Sequence, residues 1–280
     1  MNDKKVLLKI VKSALEEDIG KGDITTKFSV SPDINALGII VAKEKGILAG
    51  TQVTKEVFWV VDKNTKSTFQ KADGDKFISG EIIADIRGKA PSLLSAERVA
   101  LNFLQRMSGI ATLTARYVKK IKGTKAKILD TRKTTPNLRL LEKYAVRVSG
   151  GFNHRMGLYD QILIKDNHIN LGNGIRNVLN KIKDVNSGRL FVEIEVKNIR
   201  QLRQALRFNV DRIMLDNMSI EEIGDAVKIV NGRCELEVSG NISLQNIREI
   251  AEAGVDYISV GSLTHSYNSI DLCMRIRRIG

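Results

Sequence analysis

From about residue 124 onward, hydrophobic and polar positions alternate in a regular way. Apolar, β-branched runs of five to seven residues are followed by stretches with helical spacing. The runs lie at 126–130, 161–165, 190–196, 212–216, 234–239 and 257–261. A further run at 144–150 fits either a strand or the end of a helix. Helical periodicity is clear at 198–208, 219–230 and 243–253. Repeated strand–helix–strand units predict a parallel sheet with right-handed crossovers.

Nearly every run stops on a polar or small residue: Asp130, Lys165, Glu195, Asp216, Ser239 and Gly261. In a parallel barrel the strand C-termini share one mouth, and that mouth hosts the chemistry. An open doubly wound sheet would focus its ligand at a single switch point instead. Charged ends on almost every strand therefore favour a barrel. Six or seven strands over 109–268 are too few for a complete eight-fold barrel, so an incomplete parallel β/α barrel is expected.

Residues 1–108 follow another pattern. An amphipathic helix at 6–18 is followed by strands at 36–43 and 65–70, with a helix at 51–61 between them. Another strand fits 82–88. A strongly periodic helix fits 93–107, where Leu94, Val99, Leu101, Phe103 and Leu104 supply apolar surface. The expected class is α/β, with an N-terminal α+β domain (1–108) in front of a barrel domain (109–268). A tail at about 269–280 is available to pack on the first domain.

Charge narrows the function. The chain carries a net charge of +13, which suits nucleic acid, an acidic membrane surface or small anions. There is no long Lys/Arg block and aromatics make up only 5%, which argues against a single-strand stacking platform and leads us to expect no nucleic-acid partner. No apolar run approaches ~18 residues, so no membrane span is expected. The start, Met1-Asn2-Asp3-Lys4-Lys5, lacks the apolar core and cleavage site of a signal peptide. Cys234 and Cys273 are the only cysteines, too few for a disulfide framework or a multi-cysteine zinc site. A cytoplasmic protein is expected.

The unexplained cations are concentrated between Asp130 and His168. One block reads Asp130-Thr131-Arg132-Lys133-Thr134-Thr135-Pro136; a second begins Asn153-His154-Arg155 and ends Lys165-Asp166-Asn167-His168. Arginine presents a planar fork to carboxylate and phosphate oxygens, and lysine adds a compact charge. Surface ion pairs would explain an isolated arginine, but these cations follow strand ends that share a mouth. Glu195 and Asp216 end two other strands, where they could bind a divalent cation, hold ribose hydroxyls or simply neutralise Lys165 and Arg132. Ser239-Gly240-Asn241 and Val260-Gly261-Ser262 close the last two strands, where barrels commonly bind phosphate.

These blocks resemble a family. Residues 130–136, Asn153-His154-Arg155, Leu163–His168, Leu215-Asp216-Asn217-Met218 and Val260–His265 are similar to quinolinate phosphoribosyltransferases. So are Glu17–Thr26 and Ser95–Ile110 in the first half. The resemblance implies transfer of a phosphoribosyl group from phosphoribosyl pyrophosphate to quinolinate, with decarboxylation and with Mg²⁺. It implies that Arg132, His154, Arg155 and Lys165 bind quinolinate, with Thr131 beside them. It implies that Lys133 and Lys165 lie near the donor, and that Lys133, Lys165, Glu195 and Asp216 carry the catalytic roles. Glu195 and Asp216 would face ribose and metal, and Ser239–Asn241 and Val260–Ser262 the 5′-phosphate. Arg98 matches an arginine supplied across a dimer interface, so a homo-oligomer, at least a dimer, is implied. Three positions depart from the family's usual pattern. Asn137 stands where glycine is common, Val148-Ser149 replaces a Cys-Gly or similar pair, and Asn241 replaces the second glycine of a frequent Ser-Gly-Gly. Asparagine tolerates positive φ better than most residues, so the phosphate loop can survive the change.

Overall fold

The computed structural model describes residues 4–186 and 190–280. Residues 1–3, part of the segment read for a leader, lie outside the described residues. Helices α1 (Lys4–Ile19) and α2 (Ile24–Ser29) are followed by β1 (Asn35–Ala42), β2 (Gly46–Ile47), α3 (Thr51–Val61), β3 (Lys66–Phe69), β4 (Lys76–Phe77) and β5 (Ile82–Lys89). The long α4 (Ala90–Lys120) leads to β6 (Lys127–Leu129), α5 (Arg139–Val148), β7 (Ile162–Ile164), α6 (Asp166–Leu171) and α7 (Ile175–Asn186). Strands and helices then alternate as β8 (Val192–Val196), α8 (Ile199–Ala205), β9 (Arg212–Asp216), α9 (Ile220–Val230), β10 (Glu235–Ser239), α10 (Ile247–Glu252), β11 (Tyr257–Ser259) and α11 (Ser262–His265). The tail forms β12 (Leu272–Arg278).

The chain divides into two compact units. The first takes the chain up to Ala115, together with Thr135–Gly150 and Ser266–Gly280. Its main sheet runs β12-β1-β5-β3, antiparallel throughout. The tail alternates apolar Leu272, Met274 and Ile276 with Cys273, Arg275 and Arg277, the period-two pattern of a strand with one covered face. Helix α1 buries Leu7, Val11 and Leu15, spaced four apart on one stripe, and packs against α3. The sequence reading assigned 109–268 to one domain, whereas residues 135–150 group with the first unit, where α5 buries Leu141, Ala145 and Val146. That spacing is helical, so the run at 144–150 is the end of a helix and not a strand.

Helix α4 is longer than the periodicity at 93–107 suggested, because Ser108-Gly109 does not end it. A Cβ on Gly109 would lie 2.2 Å from the Asn268 carbonyl oxygen, so this glycine serves a close backbone approach inside a continuous helix.

The second unit takes Arg116–Thr134 and Gly151–His265. Its six strands are ordered β6-β11-β10-β9-β8-β7 and every pair is parallel. β6 and β7 stay as edges, so the barrel is open, as its short strand count implied. Phe152 adds one parallel bridge to Leu129 beside β6. Along the strands, buried Ile194, Ile213, Leu215, Leu236, Val238 and Ile258 alternate with a second set. That set is Glu193 and Glu195 on β8, Arg212, Met214 and Asp216 on β9, Glu235, Glu237 and Ser239 on β10, and Tyr257 and Ser259 on β11. Helix α8 packs on β8 and α9 on β10. Unlike the branched apolar layers that usually fill such barrels, this second set is mostly polar, and six of its ten residues are charged.

Candidate active site

The ends of the six parallel strands converge on a cavity of about 740 Å³ in the second unit. Thr131, Arg132 and Lys133 reach it from the segment after β6, and His154 and Arg155 from the segment after Phe152. Lys165 follows β7, while Glu195 and Asp216 come from the ends of β8 and β9. Ser239, Gly240 and Asn241 close β10, and Gly261 and Ser262 follow β11. Val260, expected in the phosphate loop, does not line the cavity; it is buried on the apolar face. Arg98 is not a lining residue either and stands exposed on α4 of the first unit. Leu163, Met214, Asn217, Ile242, Ser259 and His265 line the cavity without having been singled out. Several of these belong to strands already read as ending at the mouth.

Two carboxylates, Asp130 buried and Asp160 exposed, fix the loops that carry the cations. Asp130 is fully buried; its carboxylate accepts the His154 backbone N–H at 2.9 Å and the Asn153 side-chain amide at 2.6 Å. Asp160 accepts the backbone N–H groups of Met156 (2.6 Å) and Gly157 (2.9 Å). Lys133 is held by its backbone: its N–H donates to Thr131 Oγ1 (3.0 Å) and its carbonyl accepts the Thr264 hydroxyl (2.8 Å). A Cβ on Gly261 would meet Lys133 Cδ and His265 Nε2, each at 3.1 Å, so glycine lets both side chains approach the loop.

Cations crowd the mouth. Burial, and then the neighbouring Arg132 guanidinium, hold the pKa of Arg155 below the ordinary arginine range. Arg155 Nη1 donates to the Gln161 carbonyl (3.1 Å), while its buried Nε has no hydrogen-bond partner among the described residues. Two like-charged guanidiniums in one cavity favour a ligand with more than one negative group. Lys165 Nζ lies 3.1 Å from Glu195 Oε2, an ion pair that crosses the same mouth. Lys197 was not foreseen; its bond to Asp166 (2.8 Å), and then the charges of Asp216 and Glu195, raise its pKa above the usual lysine value. Its position one residue past β8 was the available signal.

The presumed phosphate loop is built on left-handed backbone. Gly240 has φ 94°, Asn241 φ 52° and Asn217 φ 55°. A Cβ at Gly240 would lie 2.2 Å from Asn217 Oδ1. Asn241 Nδ2 donates to that same oxygen at 3.0 Å, and Asn217 Nδ2 donates to Asp216 Oδ1 at 2.9 Å. Asn246 Nδ2 donates to the Asn241 carbonyl at 2.9 Å. Asn137, the other departure from glycine, also takes positive φ (65°).

Beneath the mouth lies a set of buried ions that sequence reading missed. Glu193 and Glu237 are fully buried. Arg212 joins Glu237 (2.9 Å) and Glu235 (2.8 Å) and stacks on Tyr257, 3.9 Å from the ring centroid. The Ser259 hydroxyl donates to Glu237. Burial, and then the charge of Glu193, push Glu237 up to about 7. Burial likewise raises Glu193, against the pull of Arg212. Each sits two residues before an expected site position, Glu195 or Ser239, on the same strand face. That period of two was the signal in the sequence.

Two oxygen-bearing sets could attract a metal. His154, Glu193 and Glu237 bring ligand atoms within 4.8 Å of one another. Three of their four carboxylate oxygens already serve Arg212, Ser259 and Gln161, as in an internal ion network, while Glu193 Oε1 is buried with no hydrogen-bond partner among the described residues. Glu195 and Asp216 end adjacent strands and face the cavity, with no third His, Cys or carboxylate gathered beside them among the described residues. That donor set suits Mg²⁺, which commonly takes one or two protein carboxylates and completes its shell with phosphates and water.

The model of the quinolinate phosphoribosyl transferase N-terminal domain matches residues 23–108, and that of the C-terminal domain matches residues 110–275. The "Probable nicotinate-nucleotide pyrophosphorylase (carboxylating)" of Bacillus subtilis (strain 168) is 43% identical over 270 residues, covering 96% of this chain and 93% of that protein. The structure of the nicotinate-nucleotide pyrophosphorylase from Francisella tularensis superposes with a TM-score of 0.94 at 43% identity, covering 99% of this chain and 98% of that one. The corresponding crystal structure from Ehrlichia chaffeensis gives a TM-score of 0.93 at 41% identity, covering 99% of this chain and all (100%) of the other.

Proposed function

The chain belongs to the quinolinate phosphoribosyltransferase family, and from that premise we propose that it converts quinolinate and phosphoribosyl pyrophosphate to nicotinate mononucleotide, pyrophosphate and CO₂, a step of NAD biosynthesis. One observation carries the reading: cations, two carboxylates and two glycine-bearing loops from six strands line one cavity of about 740 Å³.

The residues divide the work by charge. Arg132, Arg155 and Lys165 engage the two carboxylates of quinolinate, with Thr131 alongside, and Lys133 and Lys165 flank the donor. His154 contributes a ring edge rather than a nitrogen, because its Nδ1 accepts the Arg155 backbone N–H at 2.7 Å and its Nε2 lies 3.1 Å from Glu193. Ser239, Gly240, Asn241, Gly261 and Ser262 cradle the 5′-phosphate, with Val260 setting the backbone of the second loop. Arg98 serves the site of a second copy in a homo-oligomer that is at least a dimer. Cys234 and Cys273 are free thiols, in keeping with a cytoplasmic enzyme.

The chemistry is largely positioning. The pyridine nitrogen must face the anomeric carbon as the bond from C1′ to the pyrophosphate oxygen breaks. The carboxylates of Glu195 and Asp216 stabilise the oxocarbenium-like ribose that results. With the donor's phosphates, the same two residues would hold Mg²⁺, which offsets the charge of the departing pyrophosphate. Once the N–C1′ bond exists, the adjacent carboxylate leaves as CO₂; the electron pair of the broken C–C bond stays on the ring carbon, stabilised by the positive charge of the neighbouring pyridinium nitrogen, and takes up a proton there. The cations must therefore hold the dianion without overstabilising that carboxylate.

Incubation of the protein with quinolinate, phosphoribosyl pyrophosphate and Mg²⁺ should yield nicotinate mononucleotide and CO₂ in equal amounts. Turnover of nicotinate in a parallel reaction, with none of quinolinate, would replace this assignment by a nicotinate-specific transferase.

A further inference from the structure

The buried ions under the mouth connect directly to the substrate-facing loops. His154 Nδ1 accepts the Arg155 backbone N–H at 2.7 Å, so that nitrogen carries no proton and the ring proton of the neutral imidazole sits on Nε2. Nε2 lies 3.1 Å from Glu193 Oε2 and 3.7 Å from Glu237 Oε1. The same Glu193 oxygen accepts Gln161 Nε2 at 2.5 Å. The backbone carbonyl of Gln161 in turn accepts Arg155 Nη1 at 3.1 Å, so the side chain acts on Arg155 through the main chain it anchors. One fully buried carboxylate thus lies against a ring nitrogen and, through one neighbour, is linked to a guanidinium; both groups line the cavity.

We propose that Glu193 is a positioning residue for the acceptor half of the site: it backs the ring of His154, whose tautomer the Arg155 backbone N–H sets, and, through Gln161, steadies the guanidinium of Arg155. The proposal rests on the enzymatic reading above. Glu237 closes the arrangement from β10, itself held by Arg212 from β9 and Ser259 from β11. With both nitrogens turned toward protein, His154 exchanges no proton with the substrate. It orients the pyridine ring by shape.

The test combines kinetics with a spectroscopic signature. Glu193→Ala should raise KM for quinolinate roughly 10-fold or more, the loss that follows small displacements of binding groups, and leave KM for phosphoribosyl pyrophosphate nearly unchanged. Glu193→Gln retains an oxygen acceptor for both donors and should restore most of the quinolinate KM. Gln161→Ala, which leaves the buried ions intact, should raise the same KM by a smaller factor and guards against misfolding of the first variant. Nitrogen-15 spectra of histidine-labelled wild-type protein at neutral pH should show His154 protonated on Nε2 and bare on Nδ1. Equal increases in both KM values for Glu193→Ala and Gln161→Ala, or no increase in either, overturn the proposal. A proton on Nδ1 of wild-type His154 overturns it whatever the activity. A wild-type chain that does not turn over quinolinate instead overturns the enzymatic reading, and the acceptor role of Glu193 falls with it, even if the tautomer is as stated.

Discussion

Asn241 holds a backbone conformation (φ 52°) that most side chains avoid, and it spends its amide on Asn217, which in turn bonds Asp216. Replacing glycine here keeps the left-handed turn and adds a tie between the phosphate loop and a site carboxylate. Asn241→Gly keeps the turn and loses the tie, so KM for the phosphoribosyl donor should rise less than about 3-fold. Asn241→Ala loses both, and strain of about 1–2 kcal/mol at that φ predicts a rise nearer 10-fold. Steady-state kinetics on the two variants checks the order. Arg132→Ala belongs at the same scale: it should raise KM for quinolinate well above any effect on the donor, and equal effects on both would refute its assignment. Glu237 makes a pH prediction. Its folded pKa of about 7 lies above the ordinary 4.5, so the folded chain retains a proton that the unfolded chain releases. The associated stability is present in full below about pH 4.5 and is lost as pH rises through 7. Denaturant midpoints at pH 5 and pH 8 should therefore differ more for wild type than for Glu237→Gln. The mouth residues were legible because they terminate strands. Glu193, Glu237 and Arg212 were not, because a charge inside a strand reads as a solvated face until the partners on neighbouring strands are known.

Among the elements, the alternating half of the chain was the more legible. Runs such as 212–216 combine β-branched or apolar residues with a polar stop, and the observed β9 occupies those same residues. One element was left open and two were misjudged, for identifiable reasons. The run at 144–150 is short and apolar, and only the burial of Leu141 with Ala145 shows its period to be helical. The helix expected at 243–253 begins later, at Ile247, because Asn246 Oδ1 accepts the Ser243 N–H (2.9 Å) and holds that stretch as a turn. Helix α4 runs past Ser108-Gly109 because the glycine answers to Asn268, which is 159 residues away along the chain and therefore invisible to local pattern. Gly109→Ala should accordingly destabilise the protein by about 1–3 kcal/mol, the usual penalty for overpacking against backbone, and lower the thermal midpoint. A variant as stable as wild type would show that the two segments can separate at little cost. The strand β12 could have been read from the alternation of Leu272, Met274 and Ile276 with arginines.

For the whole molecule, four of the cations behind the net charge of +13, Arg132, Lys133, Arg155 and Lys165, meet in one cavity of the second unit. Among the described residues no helix is long and apolar enough to cross a membrane. The trans role assigned to Arg98 has a consequence at this scale. Arg98→Ala and Arg132→Ala, each impaired alone at sub-saturating quinolinate, should regain activity when co-expressed, because one of the two shared sites is then intact; no recovery would place Arg98 outside the site. The central claim is that strand-end cations form a receptor for two carboxylates. Equilibrium binding of quinolinate and of nicotinate, measured by titration calorimetry on the wild type and on Arg132→Ala, tests it most directly. Loss of a charged hydrogen-bonded pair is worth about 1.5–3 kcal/mol, so quinolinate should bind the wild type at least ~10-fold more tightly than nicotinate, and Arg132→Ala should erase most of that preference. Equal affinity for the two acids in the wild type would contradict the account.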